Sequence, residues 1–210
     1  MPKTTETVLE IDLTALGKNY HYLKSRIKDT TKLLGVVKAF AYGSDAVIIG
    51  KELEALGVDY LAVAYVYEGV ILRDVGIKTP ILVLHPQPEN FETLIDRCLE
   101  PSLYNESVLK QFIKIASEKK QLNYPVHLKF NTGLNRLGFN EAEVDKIISE
   151  LNATSTIKIT SLFSHLAASE DLTEKYFSQS QISTFKNIAK NISSKLSYQP
   201  KLHMSNTSGI

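Results

Sequence analysis

The chain has 210 residues, 43% of them hydrophobic and 22% charged, with a formal net charge of +1. That length allows one large domain or two small ones with a sizeable core, and the balanced charge gives no one-signed field to attract nucleic acid or an anionic membrane. Cys98 is the only cysteine, which excludes an internal disulfide framework and fits a reducing, cytoplasmic setting.

The amino terminus, Met1-Pro2-Lys3-Thr4-Thr5-Glu6, lacks the apolar stretch of a secretory signal. No run approaches the ~20 apolar residues of a membrane span. From Asp12 or Thr14 an amphipathic helix runs through Ile27, with Leu16, Tyr20, Leu23 and Ile27 on one face. Strands and helices then alternate: strand 33–38, helix 46–56, strand 60–64, helix 68–75, strand 81–84, helix 90–98, a weaker strand 100–103, helix 106–119, strand 126–130, helix 141–151, strand 157–163, helix 179–196 and strand 202–205. The strands are short apolar runs, as expected when both faces are covered. Cys98, inside Leu94-Ile95-Asp96-Arg97-Cys98-Leu99, reads as a buried, inert thiol.

Such alternation implies a parallel α/β sheet. A dinucleotide-binding fold should carry Gly-x-Gly-x-x-Gly after its first strand, and the sequence has none. Seven strands are predicted where a closed barrel needs eight. Residues 1–210 therefore read as one incomplete domain, a (β/α)8 TIM-type barrel truncated before its eighth strand.

In such a barrel the chemistry sits at the carboxyl ends of the strands. Lys38 ends the first. Its amine either reaches solvent or is desolvated, neutral and able to form a Schiff base with an aldehyde. Tyr42 and Gly43 follow, the tyrosine within reach of a phosphate oxygen. Lys129 alternates out of an apolar strand, and the loop behind it presents Arg136 between two glycines. Arg136 is either a solvated surface group or a fork for a carboxylate or phenolate. His165 follows the next strand and by itself reads as a hydrogen-bonded core or rim residue. His203-Met204-Ser205-Asn206-Thr207-Ser208-Gly209 is either a helix cap or a phosphate cradle.

Taken together, Lys38-Ala39-Phe40-Ala41-Tyr42-Gly43, the loop Thr132–Phe139, Phe163-Ser164-His165-Leu166-Ala167 and Ser205–Gly209 resemble, in order and spacing, the amino-terminal domain of the alanine racemase family. The resemblance implies an isomerase using pyridoxal 5'-phosphate to interconvert L- and D-alanine for peptidoglycan precursors. It implies that Lys38 holds the cofactor and serves as one of two acid/base groups, with Lys38, Arg136 and His165 as the catalytic set. Tyr42 and Thr207 would bind the phosphate, Asn206 would also contact the cofactor, Arg136 would bond the phenolate oxygen, and His165 would lie near the pyridine ring. His203 would orient an arginine of the eighth strand, and Lys129 matches a position carbamylated in some members. No metal is expected. Departures are Phe40 for asparagine, Ser44-Asp45 for His-Gly, Asn131 for aspartate and Thr207 for serine. The family's carboxyl-terminal β domain, which supplies the second base across a homodimer interface, lies outside these residues, so the 210 residues alone should racemise very slowly. Two other readings are a single-barrel pyridoxal-phosphate carrier without catalysis and a decarboxylase of the same fold type.

Overall fold

A computed structural model describes residues 7–210; the first six, on which the reading of the amino terminus rests, lie outside the described residues. Each short apolar run becomes a strand: β1 (Leu34–Val36), β2 (Tyr60–Val63), β3 (Ile81–Val83), β4 (Glu100–Leu103), β5 (Tyr124–Lys129), β6 (Ile157–Phe163) and β7 (Lys201–His203). They pair in sequence order, each parallel to the next. Around this seven-stranded, barrel-like sheet run α1 (Leu13–Ser25), the short turn α2 (Lys38–Gly43), α3 (Ala46–Ala55), α4 (Val66–Asp74), α5 (Phe91–Asp96), α6 (Glu106–Glu118), α7 (Val144–Asn152) and α8 (Lys175–Ser193). Sequential parallel pairing with intervening helices is the barrel pattern expected from the sequence, and β1 and β7 each have a single neighbour. No helix among the described residues is long and apolar enough to cross a membrane.

The core forms where strand and helix faces meet. Leu61, Ile81, Leu82, Leu103, Leu128 and Leu162 are fully buried in the sheet, and Phe91, Phe112 and Ile188 cover it from the helices. Asp12 opens α1 by accepting a hydrogen bond from the Ala15 N–H at 2.9 Å, which settles the choice between Asp12 and Thr14.

Most boundaries shift by a residue or two; two strand and helix starts and one burial differ for a specific reason. β5 begins at Tyr124 rather than at 126, although Pro125 cannot donate to the ladder. Its start is fixed instead by the buried Tyr124 hydroxyl, which donates to the Leu99 carbonyl at 2.7 Å. α8 begins at Lys175, because Asp171 caps a 3-10 turn that feeds into it. Cys98 is exposed, not buried: it leaves α5 at φ 50°, in the left-handed region that turns the chain toward β4.

The amino-terminal end of the sheet is tied by one side chain. Arg73 of α4 donates to the carbonyls of Ile77, Thr79, Arg97 and Cys98 at 2.8–3.3 Å. Those carbonyls lie on the approaches to β3 and β4, so this end of the barrel serves stability. Removing the Tyr124 hydroxyl with Tyr124→Phe leaves the Leu99 carbonyl short of a partner, and about 1–2 kcal/mol of stability should be lost. A urea midpoint equal to that of the wild type would contradict this.

Candidate active site

The first strand runs directly into an unusual turn. Ala39, Phe40, Ala41 and Tyr42 have φ of 50–59° and ψ of 39–54°, so α2 is left-handed. L-residues avoid this conformation by roughly 1–2 kcal/mol each, so four in a row cost about 4–8 kcal/mol. Such strain persists only where the surroundings hold it. The Ala41 N–H reaches back to the Val37 carbonyl at 3.0 Å. The Ala39 N–H donates to Oε1 of the buried Glu68 at 2.7 Å. Beyond the turn, Asp45 accepts from the Val47 and Ile48 N–H groups and caps α3, which accounts for Asp45 as a local helix start. The turn leaves Phe40 and Tyr42 exposed and sets the Lys38 Nζ 5.8 Å from the centre of the Tyr42 ring.

Lys38 is half-buried rather than buried. The buried amine of the site is Lys129, at the end of β5, 6% exposed. Burial, with the nearby positive charges of Arg136 and Lys38, lowers its pKa from 10.5 to about 8. Its Nζ lies 5.7 Å from the centre of the Phe163 ring. His165, exposed on the rim after β6, is likewise pushed down by desolvation and then by Arg136, Lys129 and Lys38, against a smaller opposing pull from Glu170. The structure therefore brings Lys38, Lys129, Arg136 and His165 into one electropositive cluster.

The loop carrying Arg136 is closed on itself. The Phe139 N–H donates to the Lys129 carbonyl at 2.8 Å and the Asn131 N–H to the Phe139 carbonyl at 2.9 Å. The backbones approach so closely that a Cβ on Gly138, at φ 135°, would lie 2.5 Å from the Asn131 nitrogen; only glycine fits there. Asn131 braces the loop with both ends of its amide. Its Oδ1 accepts from the Gly133 and Asn135 N–H groups, and its Nδ2 donates to Asn135 Oδ1 at 2.9 Å. An aspartate could make the first two bonds but not the third. Next to it, the Thr132 and Ser164 hydroxyls share a bond of 2.7 Å, and Ser164 donates to the Phe130 carbonyl, joining the ends of β5 and β6. Gln181, buried in α8, accepts from the Ala167 N–H and donates to the His165 carbonyl, and so fixes the His165 loop from behind.

His203 ends β7 and stacks on Phe163, with ring centres 4.7 Å apart and planes at 4°. It terminates a polar chain through the barrel: His203 Nε2 to the Ser161 hydroxyl at 3.1 Å, Ser161 to His127 Nδ1 at 2.7 Å, and His127 Nε2 to Glu100 Oε2 at 2.7 Å, where the Tyr60 hydroxyl also donates at 3.2 Å. Burial and the neighbouring His127 hold the His203 pKa down to about 3. With His127 neutral the chain has one consistent polarity. His127 Nε2–H donates to the carboxylate, Ser161 donates to His127, and His203 Nε2–H donates to Ser161. His203 Nδ1 is then a lone-pair acceptor. Protonating His127 reverses the two bonds on the Ser161 side.

After β7, Asn206 Oδ1 accepts from the Gly209 N–H and the Ser169 hydroxyl, so its carbonyl oxygen is used in shaping the turn Thr207–Gly209. No group of three or more metal-ligating side chains is found among the described residues. The sequence reading assigned no role to Glu68, Glu100, His127, Ser161 or Gln181. Glu68 carries a local signal, a glutamate three residues after a helix start. Glu100 and His127 carry another, ionisable residues inside apolar strands. Ser161 and Gln181 carry none.

Residues 11–210 match the family model described as "Alanine racemase, N-terminal domain". The chain is 32% identical over 203 residues to alanine racemase 2 of Oceanobacillus iheyensis, covering 96% of this chain and 51% of that protein. It is 34% identical over 209 residues to alanine racemase of a Geobacter species, covering 97% and 55%. Among solved structures, alanine racemase of Clostridium difficile superposes with a TM-score of 0.84 at 32% identity, covering 90% of this chain and 50% of that one. Alanine racemase of Bacillus anthracis, solved with bound L-Ala-P, gives 0.89 at 25% identity, covering 99% and 54%. The chain thus spans about half the length of the curated relatives it matches.

Two measurements test the electrostatics. Because the folded pKa of Lys129 lies near 8 and the unfolded chain keeps that proton up to 10.5, the unfolded state binds more protons between those values and stability gains from this group as pH rises through the window. Lys129→Met should be more stable than wild type near neutral pH and should lose that part of the slope. Parallel pH–stability curves for the two proteins would contradict it. The barrel chain is read by long-range 15N NMR of histidine side chains at about pH 8, where His127 and His203 should both be Nε2–H tautomers. An Nδ1–H tautomer at His203 would reject the polarity given above.

Proposed function

The chain belongs to the alanine racemase amino-terminal domain family, and from that premise we propose that it is the cofactor-holding barrel of a pyridoxal-phosphate-dependent alanine racemase. One observation carries the reading: Lys38, the buried Lys129, Arg136 and His165 come together where β1, β5 and β6 end, at the carboxyl end of the sheet. A phosphorylated, phenolate-bearing aldehyde fits that donor set, since it brings negative charge to the cations and a carbon that condenses with an amine.

Pyridoxal phosphate supplies, when bound, a conjugated ring that delocalises the negative charge left when an α-proton departs. The chain's own residues do the rest. Lys38 Nζ would hold the group covalently and would take or return the α-proton on one face. Arg136 donates to the phenolate oxygen with a guanidinium that keeps its charge. Tyr42, Asn206 and Thr207 serve the phosphate, with the Thr207–Gly209 turn kept in shape by Asn206. His165 lies beside the ring as a neutral group. His203 would offer its acceptor Nδ1 to the arginine that the resemblance places against the ring nitrogen. The neutral amine of Lys129, favoured by its burial, would add carbon dioxide and release one proton to solvent, and the carbamate would put a negative charge beside Arg136.

Racemisation needs a second base on the opposite face. In this reading that base and the full homodimer belong to the longer enzyme, which acts in the cytoplasm to supply D-alanine for the cell wall, and the 210 residues alone turn alanine over very slowly. Adding pyridoxal phosphate should produce a visible absorption band, and borohydride should fix the label on Lys38. Lys38→Ala should abolish both. A wild-type Lys38 peptide left unlabelled would overturn the assignment.

A further inference from the structure

Glu68 is the third residue of α4 and is 9% exposed. Its Oε2 accepts from the Ala64 N–H at 2.6 Å and the Tyr65 N–H at 3.0 Å, which serves the start of α4. Its Oε1 leaves that helix and accepts from the Ala39 N–H at 2.7 Å. A helix start needs only the first two bonds. The third reaches the residue next to Lys38, at the entrance to the left-handed turn.

We propose that Glu68 is a positioning residue for Lys38: it holds the Lys38–Ala39 peptide through the Ala39 N–H and so keeps the turn, and with it the amine, in the orientation that reaches a bound aldehyde. The proposal rests on the cofactor reading above, and the physical chemistry supports it at each step. The Ala39 N–H belongs to the peptide plane whose carbonyl is that of Lys38, so fixing one fixes the other. The turn lies in a region L-residues avoid, and its own backbone bonds, Ala41 to Val37 at 3.0 Å and Ser44 to Ala41 at 3.4 Å, leave the Ala39 N–H to Glu68. All three donors facing Glu68 are N–H groups, and a carboxylate accepts on both oxygens. A glutamine of the same size accepts on one and turns an N–H toward an N–H on the other. With two amides at one oxygen and one at the other, the glutamine oxygen goes to Ala64 and Tyr65 and the bond to Ala39 is lost.

Glu68→Gln in the full 210-residue chain therefore separates positioning from folding. The variant should still fold cooperatively, its urea midpoint lowered by no more than the one bond accounts for, and the Ala64 and Tyr65 amides should stay protected from hydrogen exchange. The Ala39 amide should exchange about 10–100-fold faster, and pyridoxal phosphate should bind and label Lys38 about 10–100-fold more weakly, the factor expected for one lost bond to a charged group. Cofactor binding and Ala39 exchange equal to wild type would overturn the proposal. If wild-type Lys38 takes no label, the cofactor reading fails on its own, and Ala39 exchange still decides whether Glu68 holds the turn. If Glu68→Gln does not fold, the wild-type Ala39 amide decides: slow exchange and a strong downfield shift support the clamp, and exchange at the rate of a free amide rejects it.

Discussion

The site is built on repulsion. A buried lysine, a half-buried lysine, an arginine and a histidine share one end of the sheet, and Arg136 and Lys38 are the charges that, after burial itself, lower the pKa of Lys129. Charges of one sign in a partly dry site cost free energy until an anion or a neutralised amine relieves them. The fold supplies that cost through the positions of β5 and β6, because Lys129 and Phe163 are paired in register and face the same end. An anionic ligand at this end gains from every charge at once, and one amine is left closer to neutrality than an ordinary lysine.

The surrounding backbone keeps these groups from relaxing away from one another. The Arg136 loop is closed by paired backbone bonds and by the Gly138 contact, which no other residue could make. Gln181 pins the His165 loop, and Asn206 shapes the last turn. The last two braces are side-chain amides satisfying backbone groups that strand ends leave open. The carboxyl end of the sheet is therefore held mainly by polar contacts, whereas the middle of the barrel is held by apolar packing.

Much of this was legible in the sequence. The strand–helix alternation, the count of seven strands and the four strand-end motifs appear at nearly the expected positions, because short apolar runs between amphipathic stretches have few other uses. The left-handed turn was not legible: Ala-Phe-Ala-Tyr carries no residue that favours positive φ, and one of the bonds that hold it comes from Glu68, 29 residues away. The burial of Lys129 rather than Lys38 was missed for a related reason. Both lysines end apolar strands, but the turn swings the first toward solvent, and Phe163 and the Arg136 loop cover the second. Cys98 was misread as buried because it sits among apolar residues, while its backbone leaves the helix pattern one residue earlier.

In barrels of this kind one mouth usually tolerates change at a cost in stability alone, while the other carries the chemistry. Glu100 stands at the first mouth, at the start of β4, yet its carboxylate sets the direction of every proton along the path to His203. A substitution there would be heard at the far end of the molecule as a swapped donor and acceptor on an imidazole, with no atom of the ligand contact itself replaced. Through Glu100 the two mouths of this barrel are joined by one line of hydrogen bonds.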